Sequence, residues 1–199
     1  RLVAGYHMVD KLQPIFANSN SRNARYYIAD NFLQAWLAVA KPAREAARLK
    51  PLEKALLPAM RRLEVLEGFA FEKLIRSLHT EMSRKGLGDF ELSDLKLGYW
   101  NRPRDVTKAI EIDLVALDEP NRRIRFGSCK RDARAHDNAA LIKFEQHVAL
   151  FLAAREHAHL QEWTHEKVLF SPTFSPEQRQ ALTAKCYECK DLHDYARLI

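Results

Sequence analysis

The sequence predicts an α/β fold, a hairpin-rich mixed β-sheet flanked by helices. Three observations lead there. Two long segments, about 61–85 and 138–159, carry apolar residues at the helical period. Short β-prone apolar segments lie between and after them. The turn Asp118-Glu119-Pro120-Asn121 joins two of those segments into a hairpin. The resulting order, helix–β–β–β–helix–β, is an α/β pattern.

Each element has its own signal. Residues 6–16 alternate loosely, 18–23 (NSNSRN) read as a turn, and 25–28 (RYYI) as a short strand, so the chain begins with a hairpin. Asp30 is placed to cap a helix over Asn31–Ala40, with Phe32, Leu33, Trp36 and Leu37 on an apolar stripe. Pro42, Pro51 and Pro58 punctuate a helical linker rich in Ala, Lys and Arg. A long helix is expected over Arg61–Lys85, with Leu63, Leu66, Ala70, Leu74, Leu78 and Met82 in phase, stopped by Gly86 and Gly88. Strands are expected at Phe90–Trp100, Lys108–Leu117 and Arg123–Lys130. A second long helix should run from Asn138 to His159, capped by Asp137. A strand at 166–171, a helix opened by Ser175-Pro176 and a last strand at 184–189 complete the reading. By organisation, residues 1–42 form a hairpin and helix, 43–60 a linker, and 61–199 the α/β domain.

Composition excludes several function classes. The chain has 199 residues, 47% apolar and 29% charged, close to the globular average, which argues against disorder. No run of 18 apolar residues suggests a membrane span. Three cysteines do not make a disulfide scaffold and fit a cytoplasmic protein. Residue 1 is Arg, and the sequence reads as a piece of a longer chain. No Gly is followed by Lys, so the segment has no phosphate loop for ATP.

The net charge of +6 is unevenly distributed. Residues 1–68 carry 11 basic and 6 acidic side chains, residues 69–131 carry 13 and 10, and residues 132–199 carry 8 and 10. Local basic clusters are Arg102, Arg104 and Lys108; Arg122, Arg123 and Arg125; and Lys130, Arg131 and Arg134. They read either as solvated loops and edge strands or as a surface that tracks phosphates. Arg102, Arg104, Lys108, Arg131 and Arg134 are the candidate nucleic-acid contacts.

Two carboxylates, Glu111 and Asp113, stand two apart in an apolar strand segment. Buried charge is costly unless it is paired or metal-bound. Ser128 and Lys130 stand two apart on the neighbouring strand, and the hairpin brings Asp113 and Lys130 toward one sheet edge. Glu72, on the preceding helix, approaches from the side, or pairs with Arg76 one turn on. Carboxylates with a nearby Lys suit a divalent cation that activates water beside a phosphoryl group.

Gly68–Glu72 (GFAFE), Glu111–Ala116 (EIDLVA) and Phe126–Lys130 (FGSCK) resemble the PD-(D/E)XK nuclease-like domain at the C-terminus of archaeal and bacterial AAA-type ATPases, the domain of unknown function 234. Leu2–Ile15 and Arg25–Leu33 resemble the end of those ATPases' winged helix. The resemblance implies a restriction-endonuclease-like mixed sheet with a winged-helix remnant before it. It implies catalytic roles for Glu72, Asp113 and Lys130, and a Mg²⁺ or Mn²⁺ site from Glu72, Asp113 and Glu111. Ser128 stands where the family pattern has Glu, and a neutral hydroxyl is a weaker ligand for a hard cation. Binding of that cation should therefore be weak. The implied partners are the ATPase part of the same chain, DNA, and a second copy of the chain.

Other candidates have plainer readings. Cys186 and Cys189 with His193 fall short of a zinc set. His157, His159 and His165 read as surface residues, and Trp36, Trp100 and Trp163 as core or interface residues. Three functions follow: a degenerate nuclease-like module that binds DNA or a partner, an active Mg²⁺- or Mn²⁺-dependent DNA endonuclease, and a structural or oligomerisation domain of the ATPase.

Overall fold

The structure, a computed structural model, describes residues 2, 3, 5–18, 23–103 and 105–198. The chain forms two compact units, Arg1–Leu12 with Ala24–Ala70, and Gln13–Asn23 with Phe71–Ile199.

In the first unit, β1 (Val9–Leu12) and β2 (Arg25–Ile28) pair antiparallel, with Val9 opposite Ile28. Asp30 caps α1 (Asn31–Ala35), its carboxylate accepting the Leu33 N–H at 2.6 Å. The expected helix does not end at Ala40. It widens into a π-helical turn, Trp36–Ala40, and continues as α2 (Lys41–Ala46). Pro42 explains the widening. It has no N–H for the Ala38 carbonyl, so the turn before it loosens and Lys41 donates five residues back, to Trp36. The Ala38 carbonyl accepts instead from the Arg62 guanidinium at 3.5 Å. The apolar stripe on this helix is uncovered: Phe32 is 79% exposed and Trp36 43%.

The long helix α3 (Leu52–Arg84) starts nine residues before its expected position and passes through Pro58. Its buried face also differs. Leu63 and Leu74 are exposed, whereas Phe71, Ile75, His79 and Met82 are buried. Phe69, Ala70, Phe71, Leu74 and Ile75 put apolar residues on adjoining faces, so periodicity alone leaves the rotation open; packing against the sheet sets it. Gly86 ends the helix in the left-handed region at φ 64°, and the Leu87 N–H returns to the Met82 carbonyl at 2.9 Å.

In the second unit, β3 (Tyr99–Trp100) and β4 (Glu111–Ile112) make a short antiparallel pair. The main sheet has four strands, β5 (Leu114–Asp118), β6 (Arg123–Cys129), β7 (Thr164–Phe170) and β8 (Glu188–Lys190), in that spatial order. The hairpin β5–β6 is antiparallel, with Leu114 opposite Gly127; β6–β7 and β7–β8 are parallel. Each parallel step uses a crossover helix, α4 (Asn138–Ala153) and then α5 (Pro176–Thr183); α6 (Leu192–Ala196) follows β8. Alternation divides the strand residues between two cores. Val115, Leu117, Ile124, Phe126 and Leu169 pack with Leu141, Phe144, Val148 and Phe151 of α4. Leu114, Ala116, Cys129, Val168 and Phe170 pack with Phe71, Ile75 and Met82 of α3. Among the described residues, no helix is long and apolar enough to cross a membrane.

Several expected elements are shorter. The strand over Phe90–Trp100 survives only as β3. Its earlier part turns at Asp94, which accepts the Lys96 N–H, and meets β5 at two separated bonds, Ser93 N–H to Leu117 and Gly98 N–H to Val115. The strand over Lys108–Leu117 breaks at Asp113, where the chain leaves the β3 pair and joins β6. The helix expected to His159 stops at Ala153, because Ala154 is extended, and resumes as a 3₁₀ helix over Arg155–Leu160. His157 is not a surface residue. It is 2% exposed, its Nδ1 lies 2.8 Å from the Phe151 carbonyl at the end of α4, and its ring stacks on Phe151 at 3.9 Å. The last strand falls at 188–190 rather than 184–189.

Candidate functional site

The break at Asp113 builds the site. A residue that pairs with neither β3 nor β6 is free to turn its carboxylate back to the sheet edge. There its Oδ2 accepts the Cys129 N–H at 2.8 Å, at the last residue of β6. The backbone carbonyl of Asp113 meets α3. It accepts two bonds from one guanidinium, Arg76 Nε at 2.9 Å and Nη2 at 2.7 Å. Arg76 Nη2 also lies 3.2 Å from Glu72 Oε2 on the same helix. Glu72, Arg76 and Asp113 therefore form one connected cluster.

Lys130 and Glu111 are within electrostatic reach of it. Burial pushes the Glu72 carboxyl up, Asp113 and Glu111 add to the rise, and Arg76 and Lys130 oppose it; the result is a pKa of about 7. Asp113 is also raised, chiefly by burial, against the Cys129 N–H and the charges of Lys130 and Arg76. Burial and the charge of Asp113 drive the Cys129 thiol well above its ordinary value. Four residues singled out in the sequence, Glu72, Glu111, Asp113 and Lys130, thus belong to one electrostatic neighbourhood. Ser128 is buried on β6, on the strand face of Ile124 and Phe126.

Sequence reasoning gave Arg76 only as a helical partner for Glu72. Its spacing from Glu72 was visible, but its bonds to Asp113 were not. Gly98 was missed altogether. It sits at φ +120°, and a Cβ there would lie 3.0 Å from the Asp113 carbonyl and 3.4 Å from Arg76 Nη2. A side chain at 98 would press on both the acceptor and the donor of this contact.

Part of the donor set is already engaged within the protein. One Glu72 oxygen faces a guanidinium, one Asp113 oxygen accepts an N–H, Ser128 is neutral and Lys130 is cationic. Among the described residues, no three His, Cys, Asp or Glu side chains are grouped to hold a metal ion.

The basic candidates are dispersed. Arg102 and Arg131 are exposed, Lys108 lies 3.9 Å from Asp105, and Arg134 is bonded to Asp132 at 2.6 Å. Arg104 lies outside the described residues. The cluster Arg122–Arg123–Arg125 is not a surface patch. Arg125 is 2% exposed and bonds Glu166 and Asp89 at 2.8 and 2.9 Å, while Arg123 pairs with Glu166 and Asp118. Alternation points Arg125 to the α3 side of a central strand, where these acids meet it.

A family of archaeal and bacterial proteins of unknown function, the domain of unknown function 234, matches residues 36–142, more than half of the chain. The chain belongs to this family. The family segment runs from the π-helical turn to Ile142 in α4, so it contains Glu72, Arg76, Gly98, Asp113, Ser128 and Lys130. An uncharacterized protein of Methanocaldococcus jannaschii, MJECL04, is 26% identical over 138 residues. That alignment covers 65% of this chain and 28% of the relative, so the chain spans less than a third of the curated relative it matches. No solved structure matches the chain.

The raised Glu72 pKa has a consequence for stability. A carboxyl whose folded pKa is above its ordinary 4.5 contributes fully below that value, and the contribution is lost as pH rises through about 7. Glu72→Gln is therefore expected to stabilise the protein at pH 8, on the order of 2 kcal/mol, with the gain vanishing near pH 4. Urea unfolding of both proteins at the two pH values checks this. An equal offset at both would mean that Glu72 titrates normally.

Proposed function

We propose that this member of the domain of unknown function 234 family is a degenerate PD-(D/E)XK nuclease-like module of an AAA-type ATPase, and that it binds DNA without cutting it. The observation that carries the reading is that Arg76 ties Glu72 to the Asp113 backbone, with Lys130 in electrostatic reach of both acids, while Ser128 stands where the family pattern has an acid. The acids and the lysine are the remnant of a phosphoryl-transfer site, and the neutral hydroxyl removes the ligand that would hold a hard cation most strongly. A mixed sheet with helices on both faces supports a restriction-endonuclease-like fold for the second unit. In the same reading, the β1–β2 hairpin and α1 are the tail of a winged helix, and the ATPase part of the chain is the module's first partner.

Exposed Arg102, Lys108 and Arg131 supply the phosphate contacts. Fluorescence anisotropy with a labelled duplex, in Mg²⁺ and at graded salt, tests this. Affinity should fall steeply with salt, and replacing any one of the three should lower the log–log slope by about 1. Intact plasmid should survive the same conditions. Cleavage that disappears in Asp113→Ala would establish an active endonuclease instead. The exposed stripe of Phe32, Trp36 and Leu37 favours a second reading, in which the first unit is an assembly surface of the ATPase.

A further inference from the structure

We infer that the Arg76 guanidinium is the resident cation of this site: it bridges helix to strand where the nuclease-like pattern would use a metal, and it keeps Mg²⁺ and Mn²⁺ out. The inference deepens the proposed function and rests on its reading of Glu72 and Asp113 as the remains of a cation site.

Three features of the geometry carry it. The first is the bonding. Arg76 sends Nε and Nη2 to the Asp113 carbonyl, 2.9 and 2.7 Å away, and Nη2 to Glu72 Oε2 at 3.2 Å. One planar, permanently charged group thus holds the helix acid and the strand acid's own backbone together. A metal ion joining the two elements would have the same task.

The second is the room made for it. Gly98 stands against the contact with no side chain, in a backbone conformation that other residues rarely adopt. A methyl group there would press on both the acceptor and the donor of the Arg76–Asp113 bond.

The third is the demand of the competing ion. Mg²⁺ takes about six oxygens near 2.1 Å in octahedral array, with waters filling the positions that one or two carboxylates leave. Here the Asp113 Oδ2 already accepts the Cys129 N–H at 2.8 Å, and a cation drawn to Glu72 would meet the positive charges of Arg76 and Lys130. Removing the guanidinium charge removes the nearest obstacle while leaving both carboxylates.

Manganese binding by the whole chain, read from the electron paramagnetic resonance of free Mn²⁺, tests the inference. Wild type should show no Mn²⁺ binding that depends on Asp113. Arg76→Gln keeps a donor for the Asp113 carbonyl and loses the charge, so it should bind Mn²⁺ at least about tenfold more tightly than wild type. The gain should disappear in Arg76→Gln combined with Asp113→Asn. Arg76→Met gives a second charge-free variant, and circular dichroism melts confirm folding of each. Wild-type Mn²⁺ binding that is lost in Asp113→Asn would overturn the inference whether or not the variants fold. So would folded Arg76 variants with wild-type Mn²⁺ affinity. DNA affinity does not enter the measurement, so a failure of the DNA-binding reading leaves this result distinguishable.

Discussion

Arg125→Met should destabilise the protein by about 3 kcal/mol. Arg125 is among the largest fully buried side chains, on the central strand β6, and its charge is compensated by Glu166 at 2.8 Å and Asp89 at 2.9 Å. Its guanidinium also lies 4.5 Å from the centre of the Phe90 ring. Removing one member of a buried charge network weakens the compensation of the others. The loss falls at the lower end of the usual range because Arg123 still pairs with Glu166, and Lys190 still pairs with Asp89 at 3.0 Å. Denaturant unfolding gives the magnitude. Adding Glu166→Gln should recover part of the loss, since it removes the stranded carboxylate. A single variant within about 0.5 kcal/mol of wild type would show that the network contributes little beyond the packing of the arginine stem.

Gly127→Val should cost a similar amount, about 2–4 kcal/mol, for a steric reason. Gly127 lies opposite Leu114 in the β5–β6 register and opposite Val168 in the β6–β7 register. The space above its Cα is already filled. A Cβ would come within 2.6 Å of Phe170 Cε2 and 2.9 Å of Leu114 Cβ. Both neighbours are fully buried and packed against α3, so neither can move without opening the core. Gly127→Ala should follow the same direction at about 1–3 kcal/mol. Thermal melts order the series. A neutral alanine variant would mean that Phe170 has another rotamer available at little cost.

Gly127 lies close to the candidate site along the chain but does not share its chemistry. Gly127 immediately precedes Ser128, and Cys129 supplies the N–H that orients Asp113. A side chain at 127 would press on Leu114, which directly follows Asp113 in the chain, and on Phe170. Substitutions at Gly127 are therefore expected to disturb the Mn²⁺ and DNA measurements as well as stability, and neither test relies on them.

Much of the architecture was legible from residue order. The hairpin at the start, the Asp30 and Asp137 caps, the glycine stop at 86 and the β5–β6 hairpin all depend on contacts within a few residues. Such signals are local, and local chemistry is enough to place them. Acids in an apolar strand likewise marked Asp113 as needing a partner, because an unpaired buried carboxylate is costly whatever the fold. What escaped was set by distant neighbours. The face of α3 that is buried, the break of one apolar run into β4 and β5, the burial of His157 and the withdrawal of Arg125 into a charge network all follow from packing against the sheet. Arg76 is the sharpest case. Its place four residues after Glu72 was open to inspection, yet its main acceptor is a backbone carbonyl 37 residues later. Whether that carbonyl is presented depends on a strand switch and on a glycine at position 98, and neither leaves a periodic trace. Residue order thus settled the identity of the charges, which is a matter of composition and spacing. Which backbone carbonyl the Arg76 charge meets was settled by the fold, because long-range packing alone brings α3 to the edge where the strands change partners.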